Sequence, residues 1–595
     1  MIGSELTRRA IRTGLIGGVA VIYLCMVGMI EKFEVRHLIG GSVNLGKVLL
    51  ALPPLLAAYL ATRPRLVAGQ VKRPAPAAAV VAGLVSGVLT GALTAAAVAL
   101  VHAFPRNAVQ NIFVAVSPEL LSILTFGRSL PVGMVLLLLI GALLGGLGAA
   151  FGALPRRYRH PLSVGLAVTA LFALLQRIIP PLLFNLNLES SWLYSTTLGG
   201  LTILGAVVVL GVSTGLPALW AARSKVVRQR VKRLPQAPRR ALNVTGLLLA
   251  ALALAVLPRL LGSTLSQVLG SVGIFLLMGL GLNIVVGYAG LLDLGYVAFF
   301  AAGAYLTALF TGAHLVTSLG ETASPAFVLH LNFYVAVPLV VLVAAFIGLL
   351  IGAPVLRLRG DYLAIVTLGF GEIARVLLTS SWLQKFTGGP QGLRDITDAT
   401  IGGVGFRDPQ PFYYLVLAFC ALAVFVSYRL ADSRVGRAWS AMREDELAAE
   451  AMGISTIKYK LLAFAMGAAV GCLSGALFAV QIGSLAPNSF GIVVSITVLA
   501  VVILGGMGSI PGVAIGTLLL IGLPGLLDEF EEYRLLIYGA ALILVMILRP
   551  QGLIPNVRRM RELQEDEVAQ DEWIKKEEEA AVAPTAAVAG GGGDS

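Results

Sequence analysis

One stretch of mixed charge lies between two apolar runs in the second half of the chain. Residues 433–460 read SRVGRAWSAMREDELAAEAMGISTIKYK. Helix-forming residues fill Trp439–Met452, charged side chains cluster at Arg443–Glu446, and Gly453 follows as a stop signal. A short helix parallel to a membrane, with small and charged residues, suits docking into a groove of a soluble partner. The alternative interpretation is a solvated amphipathic loop, and the residues alone favour neither.

A second candidate is a charged pair inside an apolar run. Glu372 and Arg375 are three residues apart, so on a helix they share a face and partly neutralise each other. An unpaired charge in such a run costs roughly 2.5–3.5 kcal/mol on membrane-insertion scales. Thr367 and Gly371 lie nearby on the same predicted helix, and together the four residues could line a polar path. The alternative is a buried structural ion pair.

Two further segments place polar groups at the ends of apolar runs. The sequence Thr387-Gly388-Gly389-Pro390 is either a helix-breaking turn that exposes backbone groups at a substrate entry or an ordinary turn. Asp293 falls near a predicted helix start, where a carboxylate suits the helix dipole, so capping is the favoured interpretation. The residues that could form a translocation path are Thr367, Gly371, Glu372, Arg375, Thr387, Gly388 and Gly389.

Motifs for nucleotide, metal or covalent chemistry are incomplete. Residues 41–47 imitate a phosphate-binding loop, but Val48 stands where Ser or Thr would hold magnesium. Residues 369–374 imitate a dinucleotide fingerprint without a surrounding βαβ pattern. The three cysteines and five histidines are scattered without ligand spacing. We therefore predict that the chain is not an enzyme and binds no cofactor or metal directly, so that any ATP chemistry belongs to a partner.

The composition points to a membrane. Of 595 residues, 57% are hydrophobic and 13% are charged, whereas soluble domains carry roughly 25% charged residues. This excludes a chain of soluble enzyme domains. The net charge of +13 comes from short basic loops between apolar runs, which indicates membrane topology and attraction to the lipid bilayer. We expect no nucleic-acid partner.

The apolar runs set the predicted architecture. Six runs precede residue 222 and ten follow residue 242, which predicts an all-α polytopic membrane protein of about 16 transmembrane helices (6 + 10). The predicted domains are a membrane extension at 1–222, a basic linker at 223–241, a second membrane domain at 242–555 and a charged, then low-complexity tail at 556–595. The alternation of basic loops places the linker, the charged stretch and both termini in the cytoplasm.

Glycines spaced by four residues indicate closely packed helices. The two ladders are Gly83, Gly87, Gly91 and Gly467, Gly471, Gly475. Packing within the chain is the favoured interpretation, and a subunit interface is the alternative.

Several longer motifs follow one another in a familiar order. They are GLLDLGYVAFFAAGAY, LRLRGDYLAIVTLGFGEIARVLL, TGGPQGL, SRVGRAWSAMREDELAAEAMGIS, KLLAFAMGAAVGCLSGALFA, VVILGGMGSIPGVAIG and LRPQGLIP. With them, residues 245–555 strongly resemble the LivM-type permease of branched-chain amino-acid ABC importers. The resemblance implies an ABC-importer permease fold for this part. Residues 1–235 lack the motifs and look like an N-terminal membrane extension.

The resemblance also implies roles and partners. The segment around Glu446–Gly453 would be the cytoplasmic coupling loop, a divergent form of the permease EAA motif. The residues implied to couple to an ATPase are Arg437, Arg443, Glu444, Asp445, Glu446, Glu450 and Gly453. The implied partners are a second permease of LivH type, two ABC ATPase subunits that use ATP, and an extracytoplasmic amino-acid-binding protein.

The implied function is import of branched-chain amino acids across the cell membrane by alternating access. One alternative keeps the mechanism but carries urea, short amides or another small polar solute. An ion-coupled secondary transporter is an alternative of a different class, against which the long charged loop argues. A structural membrane protein without cargo is the most distant alternative.

Overall fold

The computed structural model describes most of the chain and divides it into two compact units, Met1–Ala250 and Ala251–Ser595. The described residues are 2–41, 43–63, 65–67, 70–72, 75–104, 116–185, 187–195, 199–215, 236–316, 322–355, 361–526, 533–548 and 551–555. Most of the predicted linker at 223–241 and the whole predicted tail at 556–595 lie outside them. The predicted domain boundaries therefore stay predictions.

Helices dominate the described part of the first unit. They are α1 Ile2–Met26, α2 Met29–Lys32, α3 Leu45–Thr62, α4 Pro76–Ala103, α5 Pro118–Leu124, α6 Leu130–Ala153, α7 Arg156–Leu174, α8 Ile179–Asn185 and α9 Ile203–Gly215. Two small antiparallel hairpins accompany them, β1 His37–Ile39 with β2 Val43–Asn44 and β3 Arg65–Val67 with β4 Gln70–Lys72.

Glycines bring α4 and α6 into backbone contact. A Cβ atom on Gly87 would collide with the carbonyl oxygen of Gly141, and one on Gly145 would collide with that of Gly83. The first glycine ladder therefore packs within the chain, as predicted. Close approach of backbones of this kind is how small residues hold membrane helices together.

We expect Gly87→Ala to destabilise the first unit by about 1–3 kcal/mol, because its methyl group would overlap the opposing backbone and force the helices apart. The matched control is Gly146→Ala on α6, whose methyl group would rest 3.4 Å from the flexible end of Leu84. Thermal unfolding of the full chain in detergent measures the difference. Equal midpoints for the two variants would contradict the α4–α6 packing.

The second unit begins within a long helical run and is again mostly helical. Its helices are α10 Gln236–Leu282, α11 Val297–Thr311, α12 Phe333–Val355, α13 Asp361–Thr379, α14 Gln384–Thr387, α15 Pro409–Ala431, α16 Arg434–Glu444, α17 Glu446–Ala451, α18 Thr456–Ile482, α19 Ile492–Gly505, α20 Ile510–Thr517, α21 Leu523–Leu526 and α22 Arg534–Leu548. Short 3₁₀ turns occupy Gly389–Gln391 and Pro487–Phe490, and π turns occupy Asn283–Tyr288 and Leu518–Gly522.

Small strands accompany these helices. They are β5 His314–Val316, β6 Thr322–Ala323, β7 Leu393–Arg394, β8 Thr400–Ile401 and β9 Val404–Gly405. Strand β5 pairs with β6 and β7, and β8 pairs with β9, all antiparallel.

Helix α18 forms the centre of the second unit. A Cβ atom on Gly475 would collide with the carbonyl oxygen of Phe300, and Tyr296 donates a hydrogen bond of 2.7 Å to the carbonyl of Gly467. The ring of Phe300 lies 4.9 Å from that of Phe478 on α18, centroid to centroid. The second glycine ladder therefore also packs within the chain, against residues between 281 and 304.

The first helices of the second unit can be compared with the apolar runs of the sequence. The runs at 242–261 and 265–286 predict two helices, and the structure breaks the run Gln236–Leu282 into two helices at Gly262, which has φ of 79°. The helix predicted at 290–311 begins only at Val297, because residues 283–296 form a π turn followed by irregular backbone. We call residues 283–296 the broken segment.

The fold class follows from these helices. Among the described residues, nine helices are long and apolar enough to cross a membrane, and five shorter helices are also apolar. The predicted all-α polytopic membrane protein is therefore confirmed, whereas the count of about 16 spans stays a prediction. Within the described part of the chain, His, Cys, Asp and Glu form no group of three that could hold a metal ion.

Each of the three cysteines lies inside the packed helices. Cys25, Cys420 and Cys472 are buried, with exposed fractions of 8%, 6% and 0%. The Sγ of Cys420 donates to the carbonyl of Gly273, and that of Cys472 donates to the carbonyl of Phe299. These thiols therefore serve helix packing.

Candidate functional site

The charged stretch forms two short helices joined at one residue. We call residues 433–455 the charged loop. The single helix predicted at Trp439–Met452 is wrong, because Asp445 adopts extended backbone (φ −150°, ψ 110°) between α16 and α17. Its carboxylate accepts the backbone N–H groups of Leu447 and Ala448 at 2.9 and 3.0 Å. Asp445 is therefore the N-cap of α17, a role that suits its short acidic side chain.

The end of α17 agrees with the prediction from the sequence. Gly453 has φ of 85°, and its N–H donates to the carbonyl of Glu450 at 2.9 Å. The N–H of Ile454 donates to the carbonyl of Ala449 at 3.1 Å. These two bonds form a Schellman motif, in which glycine takes the left-handed position without steric cost.

Two side chains anchor the charged loop to α18. The indole of Trp439 is fully buried and donates to the carbonyl of Tyr459 at 2.8 Å. The Nζ of Lys460 lies 2.6 Å from the Oε1 of Glu446, and the lysine side chain is only 6% exposed. Glu446 therefore faces the body of the second unit. The sequence pattern did not indicate this, because the two partners are 14 residues apart.

Arg443 connects the charged loop to the broken segment. Its Nη1 donates to the carbonyl oxygen of Gly287 at 2.7 Å. Its side chain also covers Gly290, where an added Cβ would lie 2.5 Å from the arginine Cγ. A charge-assisted hydrogen bond of this length is stronger than one between neutral groups. This hydrogen bond therefore links the charged loop directly to the broken segment.

The broken segment is held in turn by three other elements. The N–H of Leu294 donates to the Oγ1 of Thr367 on α13 at 3.0 Å. The N–H of Val297, at the start of α11, donates to the Oγ of Ser495 on α19. Asn283 accepts the N–H of Gly508 at 2.8 Å. Thr367 and Ser495 thus accept backbone N–H groups that have no helical partner where the segment joins α11.

Asp293 lies at the centre of the broken segment. The predicted role as a helix cap is wrong, since the N-cap of α11 is Tyr296. The Oδ1 of Asp293 accepts the N–H of Gly295 at 2.9 Å, and its Oδ2 is buried without a hydrogen bond. The carboxyl borders a void of about 10 Å³ that is lined mainly by apolar side chains. Asp293 is therefore a polar group held by its bond to Gly295 and enclosed mainly by apolar side chains.

We expect Asp293→Asn to leave the stability of the second unit nearly unchanged, because the amide keeps the acceptor for Gly295 and carries no charge. Asp293→Ala should lower the stability by about 1–3 kcal/mol, since it leaves the N–H of Gly295 without that acceptor. Thermal unfolding in detergent compares the two variants. An equal loss in both would contradict the prediction, because it would mean that the amide cannot replace the carboxyl.

Four of the residues that are predicted to line a translocation path fall into two groups in the structure. Glu372 and Arg375 form the predicted ion pair, with Nη2 and Nε of the arginine 2.9 and 3.0 Å from Oε2. Their side chains are 40% and 38% exposed, so the buried ion pair considered as the alternative is wrong. Thr367 and Gly371 instead face Gly295 in the broken segment. Their part in a path stays a prediction.

The turn at 387–389 is held by hydrogen bonds to nearby residues. Thr387 is buried, and its Oγ1 donates to the carbonyls of Leu378 and Leu383 at 3.0 and 3.1 Å. Gly388 and Gly389 have φ of 75° and 57°, values that glycine adopts readily. These bonds favour the ordinary turn over an opening that exposes backbone groups.

An apolar surface lies on the outside of the charged loop. Leu447 and Met452 are 61% and 84% exposed, and Ile457 at the start of α18 is 61% exposed. Glu444 and Glu450 are exposed beside them, as are Arg437 and Gly453. Sequence reasoning found the charges but missed these apolar residues, whose positions depend on the break at Asp445.

Comparisons with known proteins identify the family of the second part of the chain. Residues 264–546 match the family described as branched-chain amino acid transport system / permease component. This part of the chain belongs to that permease family. Its helices α11 to α21, the broken segment and the charged loop all lie within the matched residues. The predicted resemblance to LivM-type permeases is therefore confirmed.

Named relatives support the same assignment. The permease part is 42% identical over 299 residues to the high-affinity branched-chain amino acid transport system permease protein LivM of Salmonella typhimurium, and 41% identical to that of Escherichia coli. Each match covers 46% of this chain and 66% of the relative. The permease protein LivH of Salmonella typhimurium is 35% identical over 148 residues, 24% of this chain and 46% of the relative. No solved structure matches the chain.

Proposed function

We propose that this chain is the transmembrane permease subunit of an ATP-driven importer for branched-chain amino acids. The single observation that carries the proposal is the charged loop, which is anchored on its inner side and presents apolar residues outside. The LivM names of the relatives support the cargo class. The chain itself would not be an enzyme, since ATP would be hydrolysed by separate subunits.

The proposed coupling runs through three contacts. An ATPase subunit docks on Leu447 and Met452, whose exposed apolar side chains suit a groove on a partner protein. The charged loop follows the motion of that subunit as the ATPase closes on ATP. Arg443 pulls on the broken segment, and the bond to Thr367 transmits the shift to α13. That shift opens the cargo site to one side of the membrane and then to the other.

A second permease of LivH type is the proposed partner at α13. The exposed face of α13 is apolar, with Ile365, Ile373 and Val376 more than half exposed, and no atom lies within 4 Å of a Cβ added to Gly369. The Glu372–Arg375 pair flanks this face. Exposure of charged groups to lipid is costly. Contact of the Glu372–Arg375 pair with a partner protein or with a polar path is therefore more favourable than contact with lipid. Thr387, Gly388 and Gly389 are buried, so they do not belong to this exposed face.

The remaining members of the proposed assembly are two ABC ATPase subunits and an extracytoplasmic amino-acid-binding protein. In this arrangement the charged loop faces the cytoplasm, and so do both termini of the chain. The assembly would lie in the cell membrane, with the basic loops on the cytoplasmic side.

The test is leucine uptake into proteoliposomes that contain the co-expressed complex. We expect uptake that requires ATP and the binding protein. Uptake of urea or acetamide in place of leucine would keep the mechanism and change the cargo. Uptake that needs a sodium or proton gradient but no ATP would overturn the proposal in favour of an ion-coupled transporter.

A further inference from the structure

A turn between two helices packs on the first residue of the broken segment. The turn, residues 506–509, joins α19 to α20, and the N–H of Gly508 donates to the Oδ1 of Asn283 at 2.8 Å. Asn283 is 1% exposed and begins the π turn. The two residues are 225 positions apart. The start of the broken segment is therefore held by an element that is distant along the chain.

Asn283 makes this contact through its oxygen. A backbone N–H can only donate, so the side-chain atom that faces Gly508 must be the amide oxygen. The Nδ2 of Asn283 is buried and has no hydrogen-bond partner among the described residues. A buried donor without a partner lowers stability, and an apolar side chain of similar shape would avoid that cost. The value of an asparagine here therefore lies in its bond to Gly508.

Gly287 contacts this bond as well as the charged loop. Its carbonyl oxygen accepts from the Nη1 of Arg443 at 2.7 Å. A Cβ atom added to Gly287 would collide with the Oδ1 of Asn283 and with the nitrogen of Gly508. One residue of the broken segment therefore contacts the charged loop through its carbonyl and the Asn283–Gly508 bond through its α-carbon.

The turn at 506–509 joins closely packed elements. A Cβ atom on Gly505, the last residue of α19, would collide with the carbonyl oxygen of Gly512 on α20. Residues 551–555 lie against the same end of α19, where the N–H of Ile554 donates to the carbonyl of Gly505 at 3.0 Å. We call α19, α20, the turn and residues 551–555 the α19–α20 body. Elements packed this closely shift together, because a packed interface does not deform continuously.

The other end of the broken segment also contacts the α19–α20 body. The N–H of Val297 donates to the Oγ of Ser495 on α19 at 3.0 Å. The bond from Leu294 to Thr367, by contrast, leads to α13. The broken segment therefore contacts two separate groups of helices, and Asn283 belongs to the contact that does not involve α13.

We propose that Asn283 is a positioning residue that couples the charged loop to the α19–α20 body through Gly287. The inference rests on the proposed function and deepens it, because it adds a second route of coupling beside the route through Thr367 to α13. When the charged loop is displaced, Arg443 shifts Gly287, and the Asn283–Gly508 bond carries the shift to the α19–α20 body. Two groups of helices then move in the same step.

The experiment measures leucine uptake and ATP hydrolysis in the same proteoliposomes, which contain the complete complex and the binding protein. Asn283→Leu keeps the approximate shape of the side chain and removes its oxygen. We expect the leucine imported per ATP to fall about tenfold while ATP hydrolysis persists, since a buried hydrogen bond is lost. The matched control is Thr307→Val, which removes a buried hydroxyl that bonds within its own helix, to the carbonyl of Gly303 at 2.8 Å. Its ratio should stay within about twofold of the wild type.

Two further variants separate coupling from folding. Gly287→Ala keeps every polar group, but its methyl group would separate Asn283 from Gly508, so the ratio should fall as it does in Asn283→Leu. In an Arg443→Ala background, Asn283→Leu should lower the ratio by no more than about a further twofold, because both residues act through Gly287.

Four results would overturn the proposal. They are a wild-type ratio in Asn283→Leu or in Gly287→Ala, a parallel fall of uptake and ATP hydrolysis, an undiminished effect of Asn283→Leu in the Arg443→Ala background, and failure of both single variants to co-purify with their partners. The second and fourth results would assign Asn283 a purely structural role.

Failure of this inference and failure of the proposed function are distinguishable in the same experiment. If the wild-type complex imports leucine with ATP and Asn283→Leu does so with the same ratio, only the coupling role of Asn283 is wrong. If the wild-type complex shows no ATP-dependent uptake, the proposed function is wrong whatever the variants do.

Discussion

Arg443→Ala should lower the amount of leucine imported per ATP hydrolysed by at least about tenfold. The guanidinium of Arg443 holds the carbonyl of Gly287 at 2.7 Å, and a hydrogen bond from a charged group contributes about 1.5–3 kcal/mol. Alanine keeps the helix α16 intact but releases the broken segment. The ATPase would then still dock and hydrolyse ATP, without moving the helices that gate the cargo.

The matched control is Arg434→Ala on the same helix. Arg434 is exposed at the first position of α16 and is not among the residues implied to couple to an ATPase, so its loss should leave the transport-to-ATP ratio within about twofold. ATPase activity and leucine uptake are measured in the same proteoliposomes. A parallel fall of both activities in Arg443→Ala would mean that the residue supports docking and not transmission.

Glu446→Lys should detach α17 from α18 and destabilise the charged loop by about 1.5–3 kcal/mol, because it removes a hydrogen-bonded charge partner of the buried Lys460. Lys460 has a side chain that is 6% exposed and lies 2.6 Å from the Glu446 carboxylate. A second lysine there places two positive charges together. Transport should be lost while the chain still inserts into the membrane.

Glu450→Lys makes the same change of charge on the exposed side of α17 and should stay within about 0.5 kcal/mol of the wild type. The exchanged pair Glu446→Lys/Lys460→Glu should recover part of the stability. Proteolysis of the loop in detergent and leucine uptake give the two measurements. If the loop is equally resistant to proteolysis in Glu446→Lys and Glu450→Lys, the ion pair does not hold the loop.

The sequence predicts the features that depend on local chemistry. Long apolar runs predict helices, because a membrane-length helix must satisfy its own backbone groups. The ion pair between Glu372 and Arg375 follows from their spacing of three residues, and the stop at Gly453 follows from the left-handed backbone that glycine adopts. Each of these features is settled within one or two turns of helix.

Other features depend on contacts between distant parts of the chain. Arg443 and Gly287 are 156 residues apart, and nothing near either residue indicates the other. The broken segment is apolar and reads as a helix, but Thr367 and Ser495 hydrogen-bond the backbone at its C-terminal end. Asp445 is an intermediate case: an acidic N-cap followed by Leu-Ala-Ala is a local signal that could have shown the break in the charged loop.

The burial of the three native cysteines makes the chain well suited to site-specific labelling. Cys25, Cys420 and Cys472 are at most 8% exposed, and reagents such as maleimides need an accessible thiolate. The native sequence should therefore react slowly with them in the folded state. A thiol introduced by Met452→Cys, at a position that is 84% exposed, would carry a fluorophore or spin label without removal of native residues. Together with a second label on a partner protein, such a label would report the approach of that partner to the charged loop as a distance, in real time and during turnover.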